Sequence, residues 1–183
     1  MFTELKGGNV NGAPFDVHAL DGTLVATARS PQERSWGSTM HVDAIFTEVR
    51  NPLGRLLLVH VDEGGFFQRG DEVLDGNGYP VARLETRVGF NKLEVHVFTG
   101  GHPPLVVRNQ RGFVEFGAAD DAGAIARFTT APAGTKRDAD HWWVELYRPV
   151  PEPLRGALVS VVFTLNLFQN RQRIKMRNDR LFD

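Results

Sequence analysis

The sequence predicts a mainly β fold, a closed β-barrel of about 11–12 strands around a central hydrophobic C-terminal helix. Short β-branched segments follow one another from Phe15 to about Tyr147, and tight turns rich in Asp, Asn and Gly separate them. One long apolar run comes after the last of these segments. So many short strands in a flat sheet would leave exposed edges, whereas closure into a barrel removes them.

Composition and charge narrow the class of protein before any motif is considered. The chain has 183 residues, of which 42% are hydrophobic and 23% charged, which fits one globular domain and excludes a disordered chain. A net charge of -1 gives no reason to expect nucleic acid as a partner. Without cysteine there is no disulfide, thiolate metal site or thiol catalysis. Since MFTELKGGNV also lacks the apolar core of a signal peptide, the predicted location is cytoplasmic.

The turns can be placed in chain order from the residues between the β-branched segments. Asp and Asn tolerate a left-handed backbone and bond to their own chain, and Gly adopts positive φ at no steric cost. Turns of this composition between alternating segments are typical of β-hairpins. The predicted turns lie at Asp21-Gly22, Asn51–Gly54, Asp75–Gly78, Asn109–Gly112 and Asp121–Gly123.

Alternation within the segments predicts which residues face the core. In KLEVHVF (residues 92–98) the leucine and the two valines share one face, because successive strand residues point to opposite sides. RLLLVHV (residues 55–61) is apolar on both faces, which predicts a strand covered on both sides. Trp142 and Trp143 are adjacent, so we expect one in the core and the other at the surface.

The apolar run GALVSVVFTLNLF (residues 156–168) is predicted to be a buried helix. It is shorter than the roughly 20 apolar residues that span a bilayer. Pro153 is well placed near a first turn, and Glu152 complements the positive end of a helix. A strand and a membrane span remain alternatives, because periodicity alone does not separate them. A single domain over residues 1–170 is expected, with a basic tail over residues 171–183.

The stretch TKRDADHWWVELYRPVPEPLRGALVSVVFTLNLF resembles the C-terminus of the phospholipid scramblases and of the LURP-one-related proteins, which belong with the Tubby C-terminal domains. The resemblance covers roughly residues 10–170. It implies a Tubby-like barrel around the C-terminal helix, and a calcium loop that begins with Asp138 and Asp140. The twelfth position of such a loop is Pro149, which has no carboxylate. The alternative is that both aspartates shape the turn into the next strand.

Basic residues near the C-terminus are candidate lipid-binding groups. Each cation close to an anionic bilayer contributes about 1 kcal/mol of attraction. Phe182 is the only aromatic residue of the basic segment over residues 170–183, so the bases of a nucleic acid would find little to stack on. A solvated terminus is the alternative. The candidates are Lys136, Arg137, Arg171, Arg173, Lys175, Arg177 and Arg180.

The motif HVD occurs twice, with His41 and Asp43 in one copy and His60 and Asp62 in the other. On two neighbouring strands these side chains could assemble a metal site; the other interpretation is solvated histidines. No G-x-S-x-G, no H-E-x-x-H and no phosphate-cradling glycine motif followed by lysine occurs. We therefore predict no catalytic residue and no cofactor.

Taken together, the sequence predicts a non-catalytic scramblase/LURP-one-like barrel protein that binds phospholipid or an anionic membrane surface, as a cytoplasmic protein peripheral to the membrane. One alternative is a cytosolic protein-interaction or small-ligand-binding module with no lipid role. Another is a phospholipid scramblase in which the helix of residues 156–168 is inserted into the bilayer.

Overall fold

The computed structural model describes residues 2–6, 15–19, 21–29, 45–62, 68–130 and 142–179. This part of the chain contains twelve strands and one helix. Their bounds are β1 Phe2–Lys6, β2 Phe15–Ala19, β3 Leu24–Arg29, β4 Ile45–Arg50, β5 Leu56–Asp62, β6 Gln68–Asp75, β7 Pro80–Gly89, β8 Lys92–Thr99, β9 Leu105–Arg111, β10 Glu115–Asp120, β11 Gly123–Thr130, β12 Trp142–Leu146 and α1 Leu154–Asp179.

The strands form an antiparallel meander. From β2 to β12 each strand pairs with the next one in the chain, which gives one continuous sheet. β1 is registered against two strands, with Phe2–Leu5 opposite β12 and Thr3–Lys6 opposite β2. The predicted mainly β fold with one C-terminal helix is confirmed.

Four of the five predicted turns connect strands where the sequence placed them. In the first three, Gly22, Gly54 and Gly78 have φ of 82°, 81° and 87°, the left-handed region that glycine enters at no steric cost. The turn predicted at Asn109 was placed too early, because β9 continues to Arg111. The Asn109 side chain instead accepts a hydrogen bond from the Leu93 backbone N–H (2.9 Å) and so links β9 to β8.

Burial along the strands follows the predicted alternation in most places. Leu93, which is fully buried, shares the inner face of β8 with two buried valines, and Trp142 is buried while Trp143 is only partly covered. The prediction that residues 55–61 are covered on both sides was wrong, since Leu57 is 42% exposed. Only the alternate residues of β5, which include His60, face the inside of the fold.

Helix α1 confirms the buried-helix interpretation of the apolar run over the strand. It starts directly after Pro153, and the Glu152 carboxylate accepts a hydrogen bond from the Gly156 backbone N–H (3.1 Å). The seven consecutive residues from Ser160 to Asn166 are all buried. At 3.6 residues per turn they point in every direction around the axis, so protein surrounds the helix there. The predicted end at residue 168 was wrong: α1 continues to Asp179, through residues of good helix propensity such as Gln, Arg, Lys and Met.

Polar side chains inside the apolar run attach the helix to the sheet. The Trp142 Nε1–H of β12 donates to Oδ1 of Asn166 (3.3 Å), and the Thr164 hydroxyl donates to Oδ2 of Asp71 on β6 (2.6 Å). The ring of Phe163 lies 5.8 Å from that of Phe15 on β2. The helix is therefore tied to strands at widely separated positions in the sheet, which fixes its depth and rotation.

Candidate functional site

The two ends of the sheet are chemically different. Because consecutive strands are antiparallel, their connections alternate between the ends. The β2–β3, β4–β5, β6–β7, β8–β9 and β10–β11 connections lie at the end where α1 begins, here called the helix-start end. The β7–β8 and β9–β10 turns lie at the opposite, helix-exit end. Gln169 donates to the backbone oxygen of Phe113 in the β9–β10 turn, so α1 reaches that end.

Two aromatic side chains project from turns at the helix-exit end. Phe90 is at the tip of the β7–β8 turn and is 97% exposed. Phe113 in the β9–β10 turn is 37% exposed, and its ring packs 5.8 Å from the ring of Phe168 on α1. Phe90 therefore contributes almost nothing to the core, whereas Phe113 also supports the helix where it leaves the sheet.

Cations surround these aromatic residues. Arg87 and Lys92 flank the β7–β8 turn with exposed fractions of 56% and 62%. Lys92 Nζ lies 3.1 Å from Oε1 of Glu94, and its hydrogen bond is the largest of the effects that lower the pKa of that carboxyl. Arg111 is exposed beside the β9–β10 turn. The described turns of the helix-exit end thus present basic side chains next to exposed rings.

The helix-start end carries charges of both signs, since arginines such as Arg55 and Arg148 lie among its carboxylates. Asp21, Asp75 and Asp120 lie at its turns, and hydrogen bonds lower the pKa of all three. Backbone N–H groups supply the largest effect for the first two, and Arg148 supplies it for the third. Asp121 beside them is exposed. A hydrogen-bonded carboxylate with a lowered pKa stays ionised, so the carboxylates of this end offset part of the attraction that its arginines would exert on an anionic surface.

The predicted lipid-binding residues fall into two groups. The backbones of Arg171, Arg173, Lys175 and Arg177 belong to α1. These residues follow Gln169, so the last ten residues of the helix extend about 15 Å past the β9–β10 turn. The others, together with both candidate calcium ligands, lie outside the described residues: Lys136, Arg137, Arg180, Asp138 and Asp140.

A second polar cluster lies inside the fold and consists of His60, Asp62, Asp71 and Thr164. Asp62 and Asp71 are register partners on β5 and β6, and His60 Nε2 lies 3.6 Å from Oδ2 of Asp71. The interpretation of His60 as a solvated histidine was wrong, since it and both aspartates are 0% exposed. In the described part of the chain no group of three or more His, Cys, Asp and Glu could hold a metal ion. The other HVD copy, His41 and Asp43, lies outside the described residues.

The outer face of β9–β11 forms an open groove of about 890 Å³, the third feature that could bind a ligand. Its floor is made of small side chains, and at Gly117 the Gln110 amide lies where a Cβ would be, 2.1 Å from that position. The arginines at its rim are already engaged: Arg108 Nε lies 2.9 Å from Glu94, and Arg127 pairs with Glu115. The groove therefore offers shape and an apolar floor, and its rim arginines are held in ion pairs as Lys92 is with Glu94.

Sequence reasoning missed the aromatic turn tips. The motifs GFN (residues 89–91) and RGF (residues 111–113) each place a phenylalanine beside a turn glycine, where small or polar residues are usual. This feature of the sequence could have identified Phe90 and Phe113. Their shared location becomes visible only from the strand order.

Comparison with known proteins supplies no family for this chain. No protein-family model matches it, no curated protein matches it, and no solved structure matches it. The resemblance to scramblases and LURP-one-related proteins is thereby neither supported nor refuted. Within the described residues, no helix combines the length and hydropathy required to cross a bilayer.

Proposed function

We propose that this chain is a non-catalytic barrel protein of the scramblase and LURP-one-related type that binds anionic phospholipid surfaces reversibly through its helix-exit end. In this proposal it is a cytoplasmic protein that is peripheral at the membrane. Closure of the sheet by β1 is part of the proposal. The two registers of β1, with β12 and β2, and the burial of α1 on all sides over Ser160–Asn166 support it.

The observation that carries the proposal is the excess of basic residues at the helix-exit end. The described turns of the helix-start end hold carboxylates together with arginines such as Arg55 and Arg148, whereas Lys92, Arg111 and the basic part of α1 belong to the helix-exit end. At about 1 kcal/mol per cation near an anionic surface, four to six cations give weak binding that salt reverses. A protein oriented by such a field would approach the membrane with the helix exit first.

Vesicle flotation over a salt series tests the proposal. Wild-type protein is expected to float with phosphatidylcholine vesicles containing phosphatidylserine, to remain unbound with phosphatidylcholine alone, and to be released at high salt. Arg171→Gln/Lys175→Gln, a pair one helical turn apart, is expected to weaken binding. The charge-matched control is Arg55→Gln/Arg83→Gln, two exposed arginines away from the helix-exit end. Equal loss in both variants, or no binding of the wild type, would refute the proposal.

The alternative of a cytosolic small-ligand module is favoured by one observation, the groove on the outer face of β9–β11. Its apolar floor and polar rim are usual features of a ligand site. This alternative predicts that vesicles of every composition leave the protein unbound. The third expectation, scrambling with an inserted helix, has less support, because insertion would require the buried segment Ser160–Asn166 to leave its packed surroundings.

A further inference from the structure

Two turns present a large apolar side chain almost entirely to solvent, one at each end of the sheet. Phe90 in the β7–β8 turn is 97% exposed, and Leu53 in the β4–β5 turn is 92% exposed. A single exposed apolar residue is ordinary on a protein surface. Exposure alone therefore carries no functional assignment, and the surroundings of the two turns must distinguish them.

The neighbouring turns distinguish the two tips. Each tip has a basic residue on either side in the chain: Arg50 and Arg55 at Leu53, and Arg87 and Lys92 at Phe90. The turns next to that of Leu53 carry the carboxylates of Asp21 and Asp75, whereas the next turn beside that of Phe90 contains Arg111 and Phe113. An exposed ring whose own and neighbouring turns are basic is suited to an anionic bilayer, because the ring can enter the interfacial region while the cations remain among the headgroup phosphates.

The β7–β8 turn is also built to hold its ring outward without further ordering. Only Phe90 and Asn91 separate the two strands, and Asn91 adopts φ of 54° in the left-handed region that asparagine tolerates. The strands below pair continuously from Ala82↔Thr99 to Gly89↔Lys92. A tip on so regular a hairpin loses little conformational freedom on binding, which leaves more of the interaction as net affinity.

We propose that the β7–β8 turn inserts the Phe90 ring into the interfacial region of an anionic phospholipid bilayer, with Arg87 and Lys92 at the headgroups on either side. This inference rests on the proposed function and adds to it a specific insertion point. Phe113, at the neighbouring turn, faces the same surface but is held by Phe168, so it borders the contact and does not penetrate. The bilayer contact is then partly apolar, so electrostatic attraction supplies only part of the affinity.

The chain has no cysteine, so a single introduced cysteine can be labelled specifically. Phe90→Cys and Leu53→Cys would each carry an environment-sensitive fluorophore and be mixed with phosphatidylcholine vesicles, with or without phosphatidylserine. The label at position 90 is expected to brighten and shift to the blue only with the anionic vesicles. The label at position 53, at the opposite end, is expected to remain unchanged.

Flotation of the alanine variants gives the affinity. Phe90→Ala is expected to lower the partition coefficient roughly ten-fold, which is the order expected for burying one phenylalanine ring partially. Its salt dependence should match that of the wild type, because every charge is retained. Leu53→Ala should bind as the wild type does. Both variants should keep the wild-type melting temperature, since neither side chain packs in the core.

The outcomes separate this inference from the proposed function. If the wild type floats with anionic vesicles while Phe90→Ala binds equally well and the label at position 90 is silent, insertion is overturned and the electrostatic function stands. If Phe90→Ala and Leu53→Ala lose affinity equally, the loss is not specific to this turn and insertion is again overturned. If the wild type does not float at all, the proposed function fails and insertion fails with it.

Discussion

The hydrogen bond between Thr164 and Asp71 is the contact by which the C-terminal helix can be tested most directly. The donor and acceptor atoms are 2.6 Å apart, and the two residues are 1% and 0% exposed, so no bulk water can replace the lost partner. Thr164→Val keeps the shape and removes the hydroxyl. A buried hydrogen bond to a carboxyl group contributes about 1.5–3 kcal/mol. We expect a loss of about 2 kcal/mol, which lowers the melting temperature of a chain this size by roughly 4–8 °C.

A double-mutant cycle with Asp71→Leu separates this contact from the other interactions of Asp71. Urea unfolding would be measured for the wild type, both single variants and Thr164→Val/Asp71→Leu. Each single variant leaves one of the two buried groups without this hydrogen bond, whereas the double variant removes both groups. The double variant should therefore be more stable than the sum of the singles predicts, by at least about 1 kcal/mol. Strict additivity would mean that the helix is not held through this contact, and the reasoning would be wrong.

Three other predictions test the turns and the helix start. In Gly76→Ala the new Cβ would lie 2.4 Å from the backbone oxygen of Leu56, so the free energy of unfolding is expected to fall by about 1–3 kcal/mol. In the control Gly100→Ala the new Cβ meets nothing within 4 Å, so stability should change little. Equal melting temperatures of the two variants would contradict this prediction. Backbone N–H groups lower the pKa of Asp75 from 3.8 in the folded protein. The ionised carboxylate therefore contributes to the free energy of unfolding above pH 3.8, and this contribution is lost as the pH falls through the lower folded pKa. The urea stability gap between the wild type and Asp75→Ala should therefore narrow from about pH 6 to about pH 3, and a constant gap would refute the assignment. Glu152→Ala should cost about 1 kcal/mol by removing the acceptor at the helix start, and Glu152→Gln should cost less in the same unfolding assay.

Local chemistry in the sequence was sufficient for the hairpins. The Asp-Gly and Asn-Gly turns require particular backbone angles, and segments such as Asp21-Gly22 and Asp75–Gly78 favour a turn over other backbone conformations. Alternation likewise predicted the inward face of β8, because the period of two is a property of the extended backbone. The apolar run indicated a buried helix through its length and its Pro153 start.

The buried polar cluster could not be predicted in this way. His60 and Asp62 have the period of strand residues, and nothing in RLLLVHVD indicates which face is covered. Their burial depends on α1, whose Thr164 is 93 residues from Asp71 in sequence. The interruptions Ser160, Thr164 and Asn166 were visible, but their partners on distant strands were not.

The candidate site was predicted only in its charged part. Basic residues near the C-terminus are conspicuous in the sequence. Phe90, in contrast, is one of 13 phenylalanines and lies in a segment whose pattern predicts an ordinary hairpin. Its significance depends on which turns share an end of the sheet, and that follows from the alternation of twelve strand directions. Side-chain exposure at a turn is likewise a tertiary property, since it depends on what the rest of the chain leaves uncovered.

The position of α1 in the chain has a consequence for biosynthesis. All twelve strands leave the ribosome before the helix that packs against the inner face of the sheet, so the sheet has no complete core until Leu154 and its successors have been made. Chains that stop before this helix would present the inner faces of β5–β8, which contact it, to solvent. Such chains resemble the exposed intermediates that aggregate or engage chaperones. Folding to the native state therefore requires that synthesis has passed the helix.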